Sequence, residues 1–186
     1  MAHVLAKCSA LAQNKYLMRH NNALKVLYFE LLRDLELIDS VPPWYSPTKP
    51  KPEYDAGGVV AQWDIPTYGE NQEMKANRID AKIVNHNTKE VIVLEMSCPW
   101  IDNREKKDEE KTAKYGPLRW ELKERYPGYK VSQYNIIMDA LGGWSTSMED
   151  NLRRLLGSKT SEVLRRMQLS VISSTLNIAR TFKVVT

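Results

Sequence analysis

The strongest chemical signal in this chain is a pair of carboxylates set in apolar strands. Glu95 interrupts the run Val91-Ile92-Val93-Leu94-Glu95-Met96, which is otherwise continuous in apolar residues. Such a run belongs in the middle of a sheet with both faces covered. A carboxylate there is costly to bury unless something binds it. Asp80 stands 15 positions earlier, in the expected strand Asn77–Asn85, and Glu95 stands in the expected strand Glu90–Cys98. His86-Asn87-Thr88-Lys89 is the turn between them, with Asn87 the residue best suited to an unusual backbone angle. Paired positions in such a hairpin sum to about 175, so Asp80 and Glu95 face each other. Facing carboxylates repel. A divalent ion such as Mg²⁺, which takes one or two carboxylates together with waters and phosphate oxygens, removes the conflict. From spacing alone a plainer reading competes: an Asp and a Glu near strand ends, hydrated or paired to Arg78 or Lys82.

The residues around the pair carry a family resemblance. Arg78-Ile79-Asp80 followed by Glu95 resembles the PD-(D/E)xK nuclease core. The similarity is to the form found in the restriction-like endonuclease domain of site-specific non-LTR retrotransposon proteins. Ile79 replaces the family's proline, and Ser97 stands where a Glu-x-Lys pattern would put its lysine. In that family the lysine commonly comes from the following helix, where Lys111-Thr-Ala-Lys114-Tyr115 matches a Lys-x-x-Lys-Tyr run. Arg19-His20 resembles the Arg-His motif ahead of the core, and Trp63-Asp64-Ile65-Pro66 and Leu141-Gly142-Gly143-Trp144-Ser145 are also similar to family segments. The resemblance runs from about His3 to Lys183.

The elements that must hold these residues follow from pattern. Ser9–Leu37 lacks Gly and Pro and repeats apolar residues at helical spacing, with Asn21-Asn22 its weakest point. Glu30 borders that apolar face, and the resemblance to PD-(D/E)xK nucleases, some of which take a further metal-site carboxylate from this first helix, implies it as a candidate for that role. Val41–Tyr54 is a proline-rich loop. Gly57-Gly58 opens a strand over Val59–Ile65, in which Asp64 is either at the metal end of the sheet or, the better reading, a turn cap before Pro66. Asp102–Tyr115 is a helix with Lys107, Lys111 and Lys114 on one side. Gly116-Pro117 breaks it, Leu118–Arg125 restarts it, and Lys130–Asp139 is another strand. Met148–Leu156 and Thr160–Phe182 are closing helices, the second with an apolar stripe of Leu164, Met167, Val171 and Leu176. The fold class is therefore mixed α/β, and the order matches the αβββαβ core of PD-(D/E)xK nucleases with C-terminal helices added.

Composition bounds the function. The chain has 186 residues, 42% of them hydrophobic, enough for a sizeable core. Its net charge is +4, but residues 151–186 hold seven basic residues against Glu162 alone. A basic end on a near-neutral body suits a polyanionic partner. Cys8 and Cys98 make no disulfide framework. No apolar run approaches membrane-spanning length, which argues against a membrane partner. His3 and Cys8 resemble the closing half of a CCHC zinc knuckle whose opening cysteines are missing, so no zinc is expected in this fragment. The expected division is a knuckle remnant at 1–8, a restriction-like endonuclease core at 9–145, and a basic helical extension packed on the core at 146–186.

The resemblance implies a Mg²⁺- or Mn²⁺-dependent DNA endonuclease of nuclear location. It would nick target DNA to start target-primed reverse transcription, working beside the remainder of a reverse-transcriptase polyprotein and possible as a homodimer. Asp80 and Glu95 would hold the metal. Lys111, preferred over Lys114, would supply the catalytic ammonium, with Lys82 a competitor on the strand. Arg19, His20, Arg78, Lys107, Arg153, Arg154 and Lys159 would contact DNA. The rival readings are a catalytically inactive nucleic-acid-binding scaffold derived from such an element, and a resolvase-like nuclease acting on branched DNA.

Overall fold

The computed structural model describes Leu5 and residues 12–66 and 78–184. His3 and Cys8, and so the expected knuckle remnant, lie outside the described residues. The architecture is mixed α/β: one five-stranded mixed sheet with helices on both faces. The strands are β1 (Glu53–Ala56), β2 (Val59–Pro66), β3 (Arg78–Asn85), β4 (Glu90–Ser97) and β5 (Lys130–Ile137), and they lie in that spatial order. The first four pair antiparallel, and β5 joins β4 in parallel. That parallel step needs a crossover. It is supplied by α2 (Arg104–Lys114) and α3 (Gly116–Arg125).

Alternation along β4 assigns its two faces. Leu94 and Met96 enter the larger core, shared with Leu24 and Leu27 of α1 (Leu17–Asp34). Val91 and Val93 enter the smaller core, with Tyr115, Leu118 and Leu122. Glu95 has the parity of Val91 and Val93, which directs it toward the α2–α3 layer. Ile79, the residue in the family's proline position, is buried in that same smaller core. An apolar side chain is held there by packing.

Several expectations need correction. The break in the first helical segment is a π turn at Ala12–Tyr16, while α1 runs unbroken through Asn21-Asn22. Buried Ala23, Leu24 and Leu27 hold that stretch in register. Strand β1 was hidden inside the expected loop. Gly57-Gly58 is the tight turn of the β1–β2 hairpin, both residues having positive φ. In the β3–β4 turn the positive φ belongs to Lys89, while Asn87 donates its side-chain amide to Gly57 O at 2.7 Å and so ties two hairpin turns together.

The C-terminal helices are α4 (Thr146–Leu156), started by Ser145 Oγ accepting the Met148 N–H, and α5 (Thr160–Val184). Helix α5 packs along α1, and its Val163, Leu164, Met167 and Val171 belong to the main core. Leu176, expected in the same stripe, is half exposed, and Thr175 is buried in its neighbourhood of the helix instead.

Candidate active site

Strands β3 and β4 part where the carboxylates stand. Their ladder runs from Asn85–Glu90 to Ala81–Leu94 and stops, although both strands continue. The same register, extended by one position, sets Asp80 opposite Glu95. There the backbone amides turn to side chains. Met96 N donates to Asp80 Oδ2 at 2.7 Å, and Asp80 N donates to Glu95 Oε1 at 3.3 Å. Each carboxylate thus accepts a main-chain N–H from the strand opposite, replacing a ladder bond. Backbone donors left by the parting strands are satisfied by the two acids.

Groups from both helical layers reach into the opening. Lys111 of α2 places Nζ 2.8 Å from Glu95 Oε2 and 3.5 Å from Asp80 Oδ2. His20 of α1 places Nε2 3.1 Å from Asp80 Oδ2 and 3.1 Å from Met96 O. Its Nε2 faces only acceptors and therefore carries a proton. Its Nδ1 lies 2.8 Å from Asn21 Oδ1. A cation–π contact also orders Lys111, whose Nζ sits 5.7 Å from the Tyr115 ring centroid. The Tyr115 hydroxyl donates to Arg78 O at 3.0 Å.

The two acids are held in opposite ways. Burial raises the Glu95 pKa, and the Asp80 charge raises it further, against the opposing pull of Lys111 and Tyr115. For Asp80, burial also pushes upward, but the His20 hydrogen bond and charge, Lys111 and the Met96 amide outweigh it and bring the group down to about 2. Burial pulls the His20 pKa down, yet Asp80 and Asn21 together hold it above its ordinary value. Burial raises the Tyr115 phenol, and the Glu95 charge adds to that. One acid is firmly ionised, and its neighbour resists ionisation. A pair whose environments push its pKa values apart is characteristic of sites that do chemistry.

Not every expected residue joins the cluster. Lys114 turns to Tyr115, with Nζ 5.0 Å from the ring centroid, and has no carboxylate contact among the described residues. Lys82 lies mid-strand, two residues from Asp80, but makes no ion pair with Asp80 or Glu95; burial and Arg125 lower its pKa, with Glu53 opposing. Lys107 pairs with Glu110, but it lines a cavity of about 370 Å³ together with His20, Ser97 and Lys111. Arg78 pairs with Asp64 across β2–β3, and Asp64 has a positive φ. The flanking pairs Trp63–Ala81 and Ile65–Ile79 set Asp64 opposite Asp80, at the expected metal end of the sheet, with its carboxylate turned to Arg78.

Arg19 is a correction. It is only 1% exposed, and its guanidinium donates to Leu5 O at 2.8 Å, Thr175 Oγ1 at 3.1 Å and Cys98 O at 3.2 Å. Those bonds tie α1 to α5 and to the end of β4, so the side chain cannot reach a DNA backbone. His20 is redirected from DNA contact to the support of Asp80. Glu30 is a second correction, because it belongs to a separate network with Arg33, Arg166 and Lys159 and not to the metal site. Lys159 is accordingly committed to Asp34 and Glu30, and Arg153 is paired with Glu149. Arg154 is exposed and has no ion pair among the described residues.

The backbone of Met96 and the side chain of Asn21 are the parts that sequence reasoning missed. Main-chain donors carry no residue signature. Asn21 had one available signal, its place directly after His20. Comparison with protein-family models finds no match, and comparison with curated proteins finds none either. No helix among the described residues is long and apolar enough to cross a membrane.

Two convergent carboxylates suit a hard divalent cation, which takes oxygen ligands and tolerates a small number of them. Among the described residues no group of three or more His, Cys, Asp and Glu side chains is arranged to hold an ion. Two carboxylates alone would leave the remaining positions of such an ion to waters or substrate oxygens, which Mg²⁺ accepts.

Proposed function

We propose that this chain is a Mg²⁺- or Mn²⁺-dependent DNA endonuclease domain of the restriction-like type. The observation that carries this reading is the convergence of Asp80, Glu95 and Lys111 at the parted ends of β3 and β4. Two acids and an ammonium, delivered by two neighbouring strands and the next helix, are the minimum set for metal-assisted phosphodiester hydrolysis. The order α1, β2, β3, β4, α2, β5 agrees with the αβββαβ core of that nuclease class.

Asp80 and Glu95 would hold the ion, which when bound would polarise the phosphate and lower the pKa of the attacking water. Lys111 offers a fixed positive charge beside both acids, suited to stabilising charge that builds on the phosphorane. His20 holds the Asp80 carboxylate in one orientation through Oδ2, and the Met96 amide holds the same oxygen. Lys107, which lines the cavity beside Lys111, and the exposed Arg154 would meet the DNA backbone. In the parent element the nick would supply the 3′ end for target-primed reverse transcription.

The test is to incubate supercoiled plasmid and branched DNA with the protein, with and without Mg²⁺ or Mn²⁺. Nicked product that requires the ion is expected. Absence of cutting on both substrates with either ion would overturn the reading.

A further inference from the structure

A second cavity, of about 900 Å³, opens between α1, the proline-rich loop, β2 and α5. That volume lies in the roughly 300–1,000 Å³ range of pockets that bury a small-molecule-sized ligand. The cavity adjoins the candidate active site. Leu17 lines both, and Asn21 forms its wall one residue from His20.

Its chemistry is mixed in a specific way. Trp44 and Tyr45 line it as an edge-to-face pair 5.5 Å apart, and Tyr45 is 72% exposed. From the opposite wall α5 presents Ser170 and Ser174, only 3% and 5% exposed. Neither hydroxyl has a hydrogen-bond partner among the described residues, and neither is sealed from the cavity. Buried hydroxyls are ordinarily satisfied. Two left open toward one cavity mark a place for a polar ligand.

Charge narrows the ligand further. Lys25 and Lys49 line the cavity, close enough that the Lys49 charge adds to burial in lowering the Lys25 pKa. Lys25 Nζ is spent on Ser46 O and Thr48 O, which pins the loop, whereas Lys49 is exposed with no ion pair among the described residues. The one acid in the lining, Asp64, is neutralised by Arg78.

We infer that this cavity binds an unpaired nucleotide of single-stranded DNA next to the phosphate held at Asp80 and Glu95. The inference rests on the nuclease reading and deepens it by naming the form of DNA at the site. An aromatic face, open hydroxyls, an amide and a free ammonium together match a base, its edge and its phosphate. Only an unpaired base offers its ring face and its hydrogen-bonding edge at once. A base pair in a duplex presents neither face.

The test uses the intact protein without added divalent ion, so binding is read apart from cutting. Anisotropy of a labelled oligothymidylate and of a labelled hairpin duplex gives the two affinities for wild type, Tyr45→Ala, Tyr45→Trp and Lys49→Ala. The expected result for Tyr45→Ala is single-strand binding weaker by about tenfold with duplex binding unchanged, recovered in Tyr45→Trp. Lys49→Ala should weaken single-strand binding and reduce its salt dependence. Unchanged single-strand affinity in both alanine variants would overturn the inference. So would equal losses on both DNAs. Plasmid nicking by wild type is measured in parallel. Its absence would defeat the nuclease reading while leaving the single-strand result standing, and the reverse outcome would defeat only the cavity.

Discussion

Among the described residues two glutamates, Glu30 and Glu95, are buried, and they are treated in opposite ways. Glu30 is 2% exposed and receives Arg33 at 2.6 Å, Arg166 at 2.7 Å and Lys159 at 3.7 Å. Glu95 is 0% exposed and has one cation, Lys111, which it shares with a second carboxylate. The first is a closed ion-pair network joining α1 to α5. Its charges satisfy one another and leave nothing for a ligand. The second keeps its acids close together with a single lysine between them, and Glu95 consequently resists ionisation. Burial alone does not mark a functional acid. On the proposed reading, Glu95 differs from Glu30 in that the fold leaves its charge incompletely answered.

The largest effect expected from this contrast is on activity. Asp80→Ala and Glu95→Ala should each abolish metal-dependent nicking of plasmid while the circular dichroism spectrum stays that of the folded protein. Glu30→Ala should do the reverse. It strands Arg166 and Arg33 and should cost about 3–5 kcal/mol in urea unfolding. Should Glu30→Ala prove harmless to stability, the two sites would not differ as described.

Next in size is the lysine. Lys111→Ala should slow single-turnover nicking by about 10²- to 10³-fold, the usual cost of losing one charge-stabilising donor. Lys114→Ala and Lys82→Ala should cut at the wild-type rate. A slow Lys82→Ala with a normal Lys111→Ala would move the ammonium onto the strand and break the comparison at its centre.

Smaller effects appear in stability against pH. Asp80 has its pKa depressed to about 2, so it contributes stability above its ordinary value near 3.8, lost as pH falls toward 2. His20 has its pKa raised, so its contribution is complete below 6.5 and is lost as pH rises through the folded value. Glu95 has its pKa raised and therefore costs stability once ionised, above 4.5 and through its folded value. Glu95→Gln should accordingly raise the urea midpoint at pH 7, and His20→Gln should flatten the loss of stability above pH 6.5. A lower midpoint for Glu95→Gln would show that its ionised form is fully compensated, as Glu30 is. The smallest effect is on DNA affinity. Arg154→Ala should make the log–log salt dependence shallower by about 0.9, the share of one phosphate contact, whereas Lys159→Ala should act on stability through the Glu30 network.

The facing of Asp80 and Glu95 was legible because a short hairpin fixes register, and register fixes which residues meet. The choice of Lys111 from the following helix rests on the family resemblance, and a helix that runs back over the sheet brings that lysine within reach. Strand β1 was not legible. Glu53-Tyr54-Asp55-Ala56 is an exposed edge with no apolar alternation, and it directly follows five prolines. The fate of Arg19 was hidden for another reason. Its acceptors Cys98 O and Thr175 Oγ1 lie 79 and 156 positions away in sequence, and one of them is a main-chain carbonyl that no residue type announces. The basic count of the C-terminal helices misled in the same way, because Lys159 and Arg166 are spent on acids of α1.

The central claim is that Asp80 and Glu95 act as one cation site. Isothermal titration of Mn²⁺ into the wild-type protein, Asp80→Asn, Glu95→Gln and Glu30→Gln tests it most directly. One ion bound by wild type and by Glu30→Gln, with binding lost in both Asp80→Asn and Glu95→Gln, is the expected result. Binding that survives in either of those two variants, or that is absent from the wild type, would contradict it.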